Sequence, residues 1–362
     1  MTRNHIYGSS NAVYILKPRS QSKSQKNYRN LTFRSPYNTA ITTEKFKFKA
    51  TIVMDSESTP TSAFVSDHGV GEIIANMLRQ ERTTYKREDY ISLVLPSKLD
   101  DGETIDASWR QRIVEWMYGV VDHCNLRRES VAVATYFLDL AACRDLVHSR
   151  KDFQLVAMTS LMLSIKLNDS TMVKLDSMVR LGRGLFNEED VIGMESKMLR
   201  AFTWYVHPPT PVCFMRQLLR LLPPESSPVA RYIIVEVTRF VSEISACLYK
   251  FVKYPASSMA FAAIIISMER IDDSNLPLWQ RHQFLYNVAS ATGLESTSWE
   301  VLHAAEDLRI SLDNNVNLQD LMRTIDAQCV RANQSPASKS SKDHTMEILE
   351  PNSPREVSAG VF

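Results

Sequence analysis

One carboxylate stands out because it interrupts an otherwise apolar stretch. Asp139 is the only charged residue between Val131 and Cys143, in a segment whose composition favours a buried helix. A carboxylate buried there is costly unless it is paired and hydrogen-bonded. Arg110 is the candidate partner, because its planar guanidinium can donate two parallel hydrogen bonds to a carboxylate. We predict a structural ion pair between the two residues; a solvent-facing Asp139 is the alternative.

Lys166 and Glu195 are a second pair of charges at the ends or on the faces of mostly apolar helices. No charged residue lies between Asp152 and Lys166. Charges at such positions are candidates for contacts with a partner protein. The alternatives are a favourable charge at a helix C-terminus for Lys166 and a solvated helix face for Glu195.

Sequence patterns typical of catalysis are lacking. Leu181-Gly182-Arg183-Gly184 does not have the spacing of a phosphate-binding loop and follows no predicted strand. The eight histidines show no paired metal-ligand spacing, and no nucleophile motif of the G-x-S-x-G type occurs. His123 and Cys124 are neighbours that point to different faces of a helix. We therefore expect a protein that is not an enzyme and that uses no cofactor or metal.

The composition is that of a soluble globular protein, with 44% apolar and 23% charged residues in 362. No apolar run approaches the roughly 18–20 residues that a membrane span needs, so we expect no membrane partner. Five scattered cysteines indicate reduced thiols in a cytosolic or nuclear protein. A net charge of +1 favours neither nucleic acid nor anionic lipid as a partner.

Both ends of the chain differ in composition from the middle. Residues 1–50 contain ten Lys or Arg and one acid, and we predict a disordered basic region over 1–74. A nuclear import signal, a transit peptide or a start at Met54 are alternatives for this region. We predict a polar flexible tail over 316–362, with proline-directed phosphorylation sites at Ser335 and Ser353.

Between these ends the apolar periodicity predicts an all-α protein built from two tandem five-helix bundles, over 75–206 and 207–315. Each bundle has a central helix that is apolar on every side. Thr210 and Pro211 are a good N-cap and first helical residue, so they begin the second bundle. The predicted helices run from about Ile113 to Val121, 128–144, 152–168, 173–181, 188–202, 211–222, 228–251, 255–271, 278–292 and 297–312.

Five segments in order resemble motifs of the cyclin family: Trp109 to Met117, Tyr136 to Asp139, Leu155 to Lys166, Met194 to Leu199, and Phe202 to Phe214. The resemblance implies two cyclin folds, a preceding helix packed with the first, and a cell-cycle role as the regulatory subunit of a cyclin-dependent protein kinase. It also implies nuclear and cytoplasmic localisation.

The resemblance assigns roles to individual residues. It makes Arg110 and Asp139 a clamp inside the first fold. It makes Lys166 and Glu195 the centre of the kinase-binding surface, with Leu167, Leu199, Trp204 and Val206 around them. It places a substrate-docking patch at Trp109, Ile113 and Trp116.

Three departures from the family pattern bear on these roles. Leu140 replaces the usual Arg after Asp139, and Asn168-Asp169 replaces an acidic pair, which removes a charge from the kinase-facing surface. The side chains of the docking patch differ in shape from the usual Met, Leu and Trp. A cyclin fold that scaffolds without activating a kinase is therefore an alternative.

A nucleic-acid-binding relative resembling transcription factor IIB is the other alternative. Residues 109–203 carry 13 Lys or Arg against 12 acids, which is too balanced for a surface that binds phosphates.

Overall fold

The computed structural model describes residues 67–99, 104–169, 173–313, 315 and 318–325, and these residues form α-helices, short 3₁₀ turns and loops, with no β-strand. The helices α3 to α7 form the first bundle and α8 to α12 form the second, as the sequence predicts. Both bundles belong to one unit, whose described residues end at Leu321, and the described residues 322–325 are assigned to a second unit.

The first bundle is preceded by α1 (Asp67–Arg82) and the short α2 (Tyr90–Leu93). Its five helices are α3 (Ala107–His123), α4 (Glu129–Cys143), α5 (Arg150–Asn168), α6 (Leu175–Leu181) and α7 (Glu188–Ala201). Side-chain caps begin three of them, from Asp106, Ser149 and Asn187. The Ser149 cap starts α5 two residues before the predicted Asp152.

The second bundle begins where the sequence predicts, with the Thr210 hydroxyl accepting the amide of Cys213 and Pro211 at the first helical position. Its helices are α8 (Pro211–Leu218), α9 (Pro228–Cys247), α10 (Ala256–Glu269), α11 (Leu278–Thr292) and α12 (Trp299–Leu312). The predicted helix 228–251 ends early, because Leu248 has an extended backbone and a 3₁₀ turn, Tyr249–Phe251, follows it.

The two helices with long uncharged stretches, α5 and α10, occupy the bundle centres. Every residue of α5 from Val156 to Ile165 is buried, and α5 packs against α3, α4, α6 and α7. In α10 only Ile265 is not buried between Ala256 and Met268, and α10 packs against α8, α9 and α12. A helix without a polar face can be stable only when protein surrounds it.

The ends of the folded region differ from the predicted boundaries. Residues 67–74, predicted as disordered, belong to α1, and residues 318–325 of the predicted flexible tail form a final helix, α13. The reason is apolar spacing: Val70, Ile74 and Leu78 follow one another at intervals of four residues on the buried face of α1. The other predicted terminal features, including Ser335 and Ser353, lie outside the described residues.

The helix that precedes the first bundle packs against the second one. We expected α1 to belong with the first bundle, but its neighbours are α8, α11 and the 3₁₀ turn Leu219–Leu221. In the part of the chain that is described, no helix has both the length and the apolar character needed to cross a membrane.

Candidate functional site

The carboxylate of Asp139 in α4 is fully buried and forms a bidentate ion pair with Arg110 of α3. The guanidinium Nε and Nη2 atoms of Arg110 each donate to one oxygen of Asp139 at 2.8 Å, and both side chains are at most 1% exposed. The Tyr90 hydroxyl donates at 2.9 Å and Arg87 at 3.3 Å. The structure thus joins the two residues that the sequence paired, and adds two donors that the sequence did not indicate.

Arg110 also reaches beyond the first bundle. Its Nη1 atom donates to the carbonyl oxygens of Ala246 at 2.9 Å and Cys247 at 3.2 Å, at the C-terminus of α9. These carbonyls have no partner within their own helix, so a cation there is favourable. The carboxylate and the phenol ring of Tyr90 beside it raise the pKa of Arg110, although burial acts the other way. Arg110 therefore connects the first bundle to the second.

Lys166 and Glu195 are brought together on the outer face of the first bundle. The Nζ atom of Lys166, in the last turn of α5, lies 2.8 Å and 2.9 Å from the two carboxylate oxygens of Glu195 in α7. The side chain of Lys166 is 41% exposed and that of Glu195 is 17% exposed. Both residues belong to helices that pack together, and their side chains remain accessible to a partner protein.

Half-buried apolar side chains accompany this pair. Leu167 follows Lys166, Leu199 lies one turn after Glu195, and both pack against the edge of the core, as Val206 does in the link between the bundles. Ile192, three residues before Glu195, is 51% exposed. Ile192 is not among the predicted residues of this surface, although its spacing from Glu195 and Leu199 places the three on one face of α7.

Trp204 is the most exposed apolar residue of this surface, at 70%. It follows a turn in which Thr203 (φ 54°) and Trp204 (φ 63°) both have left-handed backbones. The Trp204 amide donates to the Leu199 carbonyl at 2.9 Å, a bond that closes the end of α7. Left-handed conformations are uncommon for residues other than glycine, and they persist where the surroundings enforce them. Here the strained turn directs the indole outward.

The departures from the family pattern have structural explanations. Leu140 is 1% exposed, so it contributes nothing to the surface. Asp169 accepts the Ser130 hydroxyl at 2.6 Å and the Arg127 amide at 3.2 Å, which ties the end of α5 to the start of α4. This carboxylate therefore connects α4 and α5.

The predicted docking patch on α3 is mostly buried, and its role in binding substrates stays a prediction. Trp109 is 7% exposed and Ile113 is 2% exposed, because both face the core of the first bundle. The cation of Arg150 lies 4.8 Å from the ring centre of Trp109 and covers part of it. Of the three residues, only Trp116 is half-buried, so it alone retains surface that a substrate could contact.

Comparison with known proteins identifies the fold. Residues 72–207 match the cyclin N-terminal domain and residues 209–297 match the cyclin C-terminal domain. The chain belongs to the cyclin family. The first match covers α3 to α7 together with α2 and most of α1, and the second covers α8 to α11.

The relatives are distant. Cyclin-A2-3 of Arabidopsis thaliana is 23% identical over 208 residues, which is 57% of this chain and 44% of the relative. G2/mitotic-specific cyclin-B of Hydra viridissima is 27% identical over 173 residues, 47% of this chain and 42% of the relative. The chain thus spans about half the length of the curated relatives it matches.

Among solved structures, a viral cyclin from herpesvirus saimiri matches with a TM-score of 0.52 and 12% identity, covering 68% of this chain and 99% of that chain. At this identity the likeness supports the cyclin fold alone.

Proposed function

We propose that this cyclin is a regulatory subunit that binds and activates a cyclin-dependent protein kinase and takes part in cell-cycle control, in the nucleus and cytoplasm. The observation that carries the proposal is the accessible Lys166–Glu195 ion pair, held by two packed helices and surrounded by Leu167, Leu199 and Val206. Isolated surface ion pairs contribute little to stability, so this one is better explained by a partner.

The mechanism requires no chemical group from this chain. A protein kinase is active when a lysine on its third strand pairs with a glutamate on its mobile C-helix. Lys166 would donate to backbone carbonyls at the end of that helix, Glu195 would accept from backbone amides, and the apolar residues would pack along it. By binding only the active position of the helix, the cyclin shifts the population toward it. A shift from 1:99 to 99:1 requires about 5.5 kcal/mol of differential affinity.

The test is to purify the full chain from cells and identify any kinase that accompanies it. The double variant Lys166→Ala/Glu195→Ala is expected to weaken binding of that kinase about 100-fold, as loss of a central charged pair does at interfaces. The matched control is Arg309→Ala/Glu269→Ala, which removes an exposed ion pair of the second fold and should leave binding unchanged.

Different outcomes reject different parts of the proposal. Full binding by the double variant would show that the assigned residues are wrong. A kinase that is bound but not activated would indicate a scaffold. Failure to recover any kinase, together with salt-sensitive DNA binding, would favour the nucleic-acid-binding alternative.

A further inference from the structure

The last helix of the second fold has an outer face with no partner among the described residues. Trp299 is 65% exposed, Leu302 is 53% exposed and Ile310 is 61% exposed. At 3.6 residues per turn these positions lie on one side of α12 over about 16 Å, with His303 and Glu306 between them. The opposite face of α12 is buried through Val301, Ala304, Ala305 and Leu308, and the helix packs against α10. The outer stripe is therefore not needed to hold the helix in the bundle.

This stripe lies in acidic surroundings. Helix α12 and its C-cap contain Glu300, Glu306, Asp307 and Asp313 but only one basic residue other than histidine, Arg309. Arg309 lies 2.6 Å from Glu269 of α10 and 3.6 Å from Glu306, and Lys253 lies 3.5 Å from Asp307, whereas Glu300 and Asp313 form no ion pair among the described residues. An apolar strip flanked by carboxylates fits a segment that combines aromatic and basic side chains.

Such a segment occurs in the same chain. Residues 45–49 read Lys-Phe-Lys-Phe-Lys, within a region, 1–50, that has ten Lys or Arg and one acid. In an extended segment Phe46 and Phe48 lie on the same side. Long lysine side chains can reach round to carboxylates while their stems cover apolar surface. The other terminal region, 326–362, has four basic and five acidic residues and lacks this complementarity.

The segment can reach the stripe. Asp67 lies 18 residues after Lys49, and an extended chain of 18 residues spans about 60 Å. The chain enters the folded region at α1, which packs against α8 and α11 of the second fold, the fold that contains α12.

We propose that residues Lys45–Lys49 bind the outer face of α12 within the same molecule. Phe46 and Phe48 pack on the stripe formed by Trp299, Leu302 and Ile310, and the lysines pair with the flanking carboxylates, Glu306 and Asp313 among them. The second fold then carries its own N-terminal segment as a ligand.

Photo-crosslinking of the full chain tests this contact. A benzophenone amino acid in place of Phe48 is expected to form adducts mainly with residues 299–313, mapped by mass spectrometry. Mixing isotopically light and heavy chains separates contacts within one molecule from contacts between copies. Adducts mainly elsewhere, or mainly between light and heavy chains, would overturn the proposal.

Charge reversal supplies the specificity test. Glu306→Lys/Asp313→Lys should reduce the adduct yield about fivefold or more, because two attractive pairs become repulsive. Lys47→Glu/Lys49→Glu should have the same effect, and combining the two double variants should restore the yield. The control Glu72→Lys/Glu225→Lys makes the same change in net charge on exposed residues of α1 and the α8–α9 loop. Equal yields for all these variants would contradict the proposal.

Discussion

The carboxylate of Asp139 accepts four hydrogen bonds and is not exposed to solvent. Two come from Arg110, one from Tyr90 and one from Arg87, so both carboxylate oxygens are satisfied. Burial and the negative charge of Asp139 raise the pKa of Tyr90 well above its ordinary value, which keeps this phenol a donor. A buried ion pair is tolerated when its remaining hydrogen-bonding capacity is used in this way.

Substitution of Asp139 should therefore be severe. Asp139→Ala leaves the guanidinium of Arg110 buried without its counter-charge, and we expect a loss of about 3–5 kcal/mol in the free energy of unfolding. Urea denaturation measures this loss. Glu269→Ala, which breaks an exposed ion pair with Arg309, should cost about 1 kcal/mol at most. Equal effects of the two substitutions would show that burial does not set the energy of these pairs.

Glu81 is a second buried carboxylate, and its hydrogen-bond donors differ from those of Asp139. Its oxygens accept the amide of Ser257 at 2.9 Å and the hydroxyl of Ser257 at 2.6 Å, at the start of α10. Burial raises its pKa above the ordinary value of 4.5, and the bonds from Ser257 only partly offset this. The folded protein thus binds this proton more tightly than the unfolded chain does.

This shift predicts a pH dependence with a definite sign. Because the pKa is higher in the folded state, the contribution of Glu81 to stability is complete below about pH 4.5 and declines as the pH rises through the folded pKa. Glu81→Gln should remove this decline, so the unfolding free energy of the wild type should fall relative to that of the variant as the pH rises above about 4.5.

Ser257→Ala is the companion variant. It removes a hydrogen bond that lowers the pKa of Glu81, so the decline in stability with pH should become steeper than in the wild type. Urea denaturation at several pH values distinguishes the three proteins. A slope that is unchanged in both variants would rule out Glu81 as its source.

At the scale of elements, α1 contacts the second fold at a position where only glycine fits. A Cβ atom added at Gly71 would lie 2.6 Å from the carbonyl oxygen of Ala291 in α11. Backbone atoms of two packed helices cannot yield as the end of a flexible side chain can. The absence of a side chain at Gly71 thus permits the close approach of α1 and α11.

Two glycine substitutions test this contact against ordinary helix propensity. Gly-to-Ala changes inside helices usually stabilise by about 1 kcal/mol. Gly193→Ala in α7 should do so, since nothing lies within 4 Å of its added Cβ. Gly71→Ala should instead destabilise by about 1–3 kcal/mol, because overpacking forces the helices apart. Thermal unfolding followed by circular dichroism measures both, and a stabilised Gly71→Ala would contradict the proposed close contact.

At the scale of the whole molecule, partly buried polar contacts join the two cyclin folds. Arg128, at the start of α4, donates to Glu243 of α9 at 2.7 Å through Nη2 and at 3.0 Å through Nε. The Tyr249 hydroxyl donates to Asp89 at 2.6 Å and accepts the amide of Ile91 at 2.9 Å. Together with the bonds from Arg110 to the end of α9, these contacts should make the folds unfold together.

Removing one partner of this contact should uncouple the folds. Arg128→Met leaves Glu243, which is 8% exposed, without its principal counter-charge. We expect a lower melting temperature and a calorimetric transition broader than two-state unfolding allows. The double variant Arg128→Met/Glu243→Met should recover most of the stability, because no unpaired charge remains. A single variant that stays two-state would show that other contacts couple the folds.

The amino-acid sequence by itself determined the order of the helices and several of their ends. The reason is that these features depend on local signals, such as the Asn187 cap of α7 and the Thr210-Pro211 start of α8. The pairing of Arg110 with Asp139 could also be inferred, because a lone charge in an apolar helix has few ways to be stable. The proximity of Lys166 and Glu195 rested on the resemblance to cyclins, since 29 residues separate them.

Only the tertiary structure decided which surfaces remain exposed. Trp109 and Trp204 are the same residue type in predicted functional positions, yet one is 7% exposed and the other 70% exposed. Likewise, α1 precedes the first fold in the chain but packs against the second. Periodicity shows which side of a helix is apolar, but it does not show which neighbour covers that side. That choice depends on contacts between residues far apart in the chain, such as Gly71 and Ala291, and it is settled only when all the helices are packed.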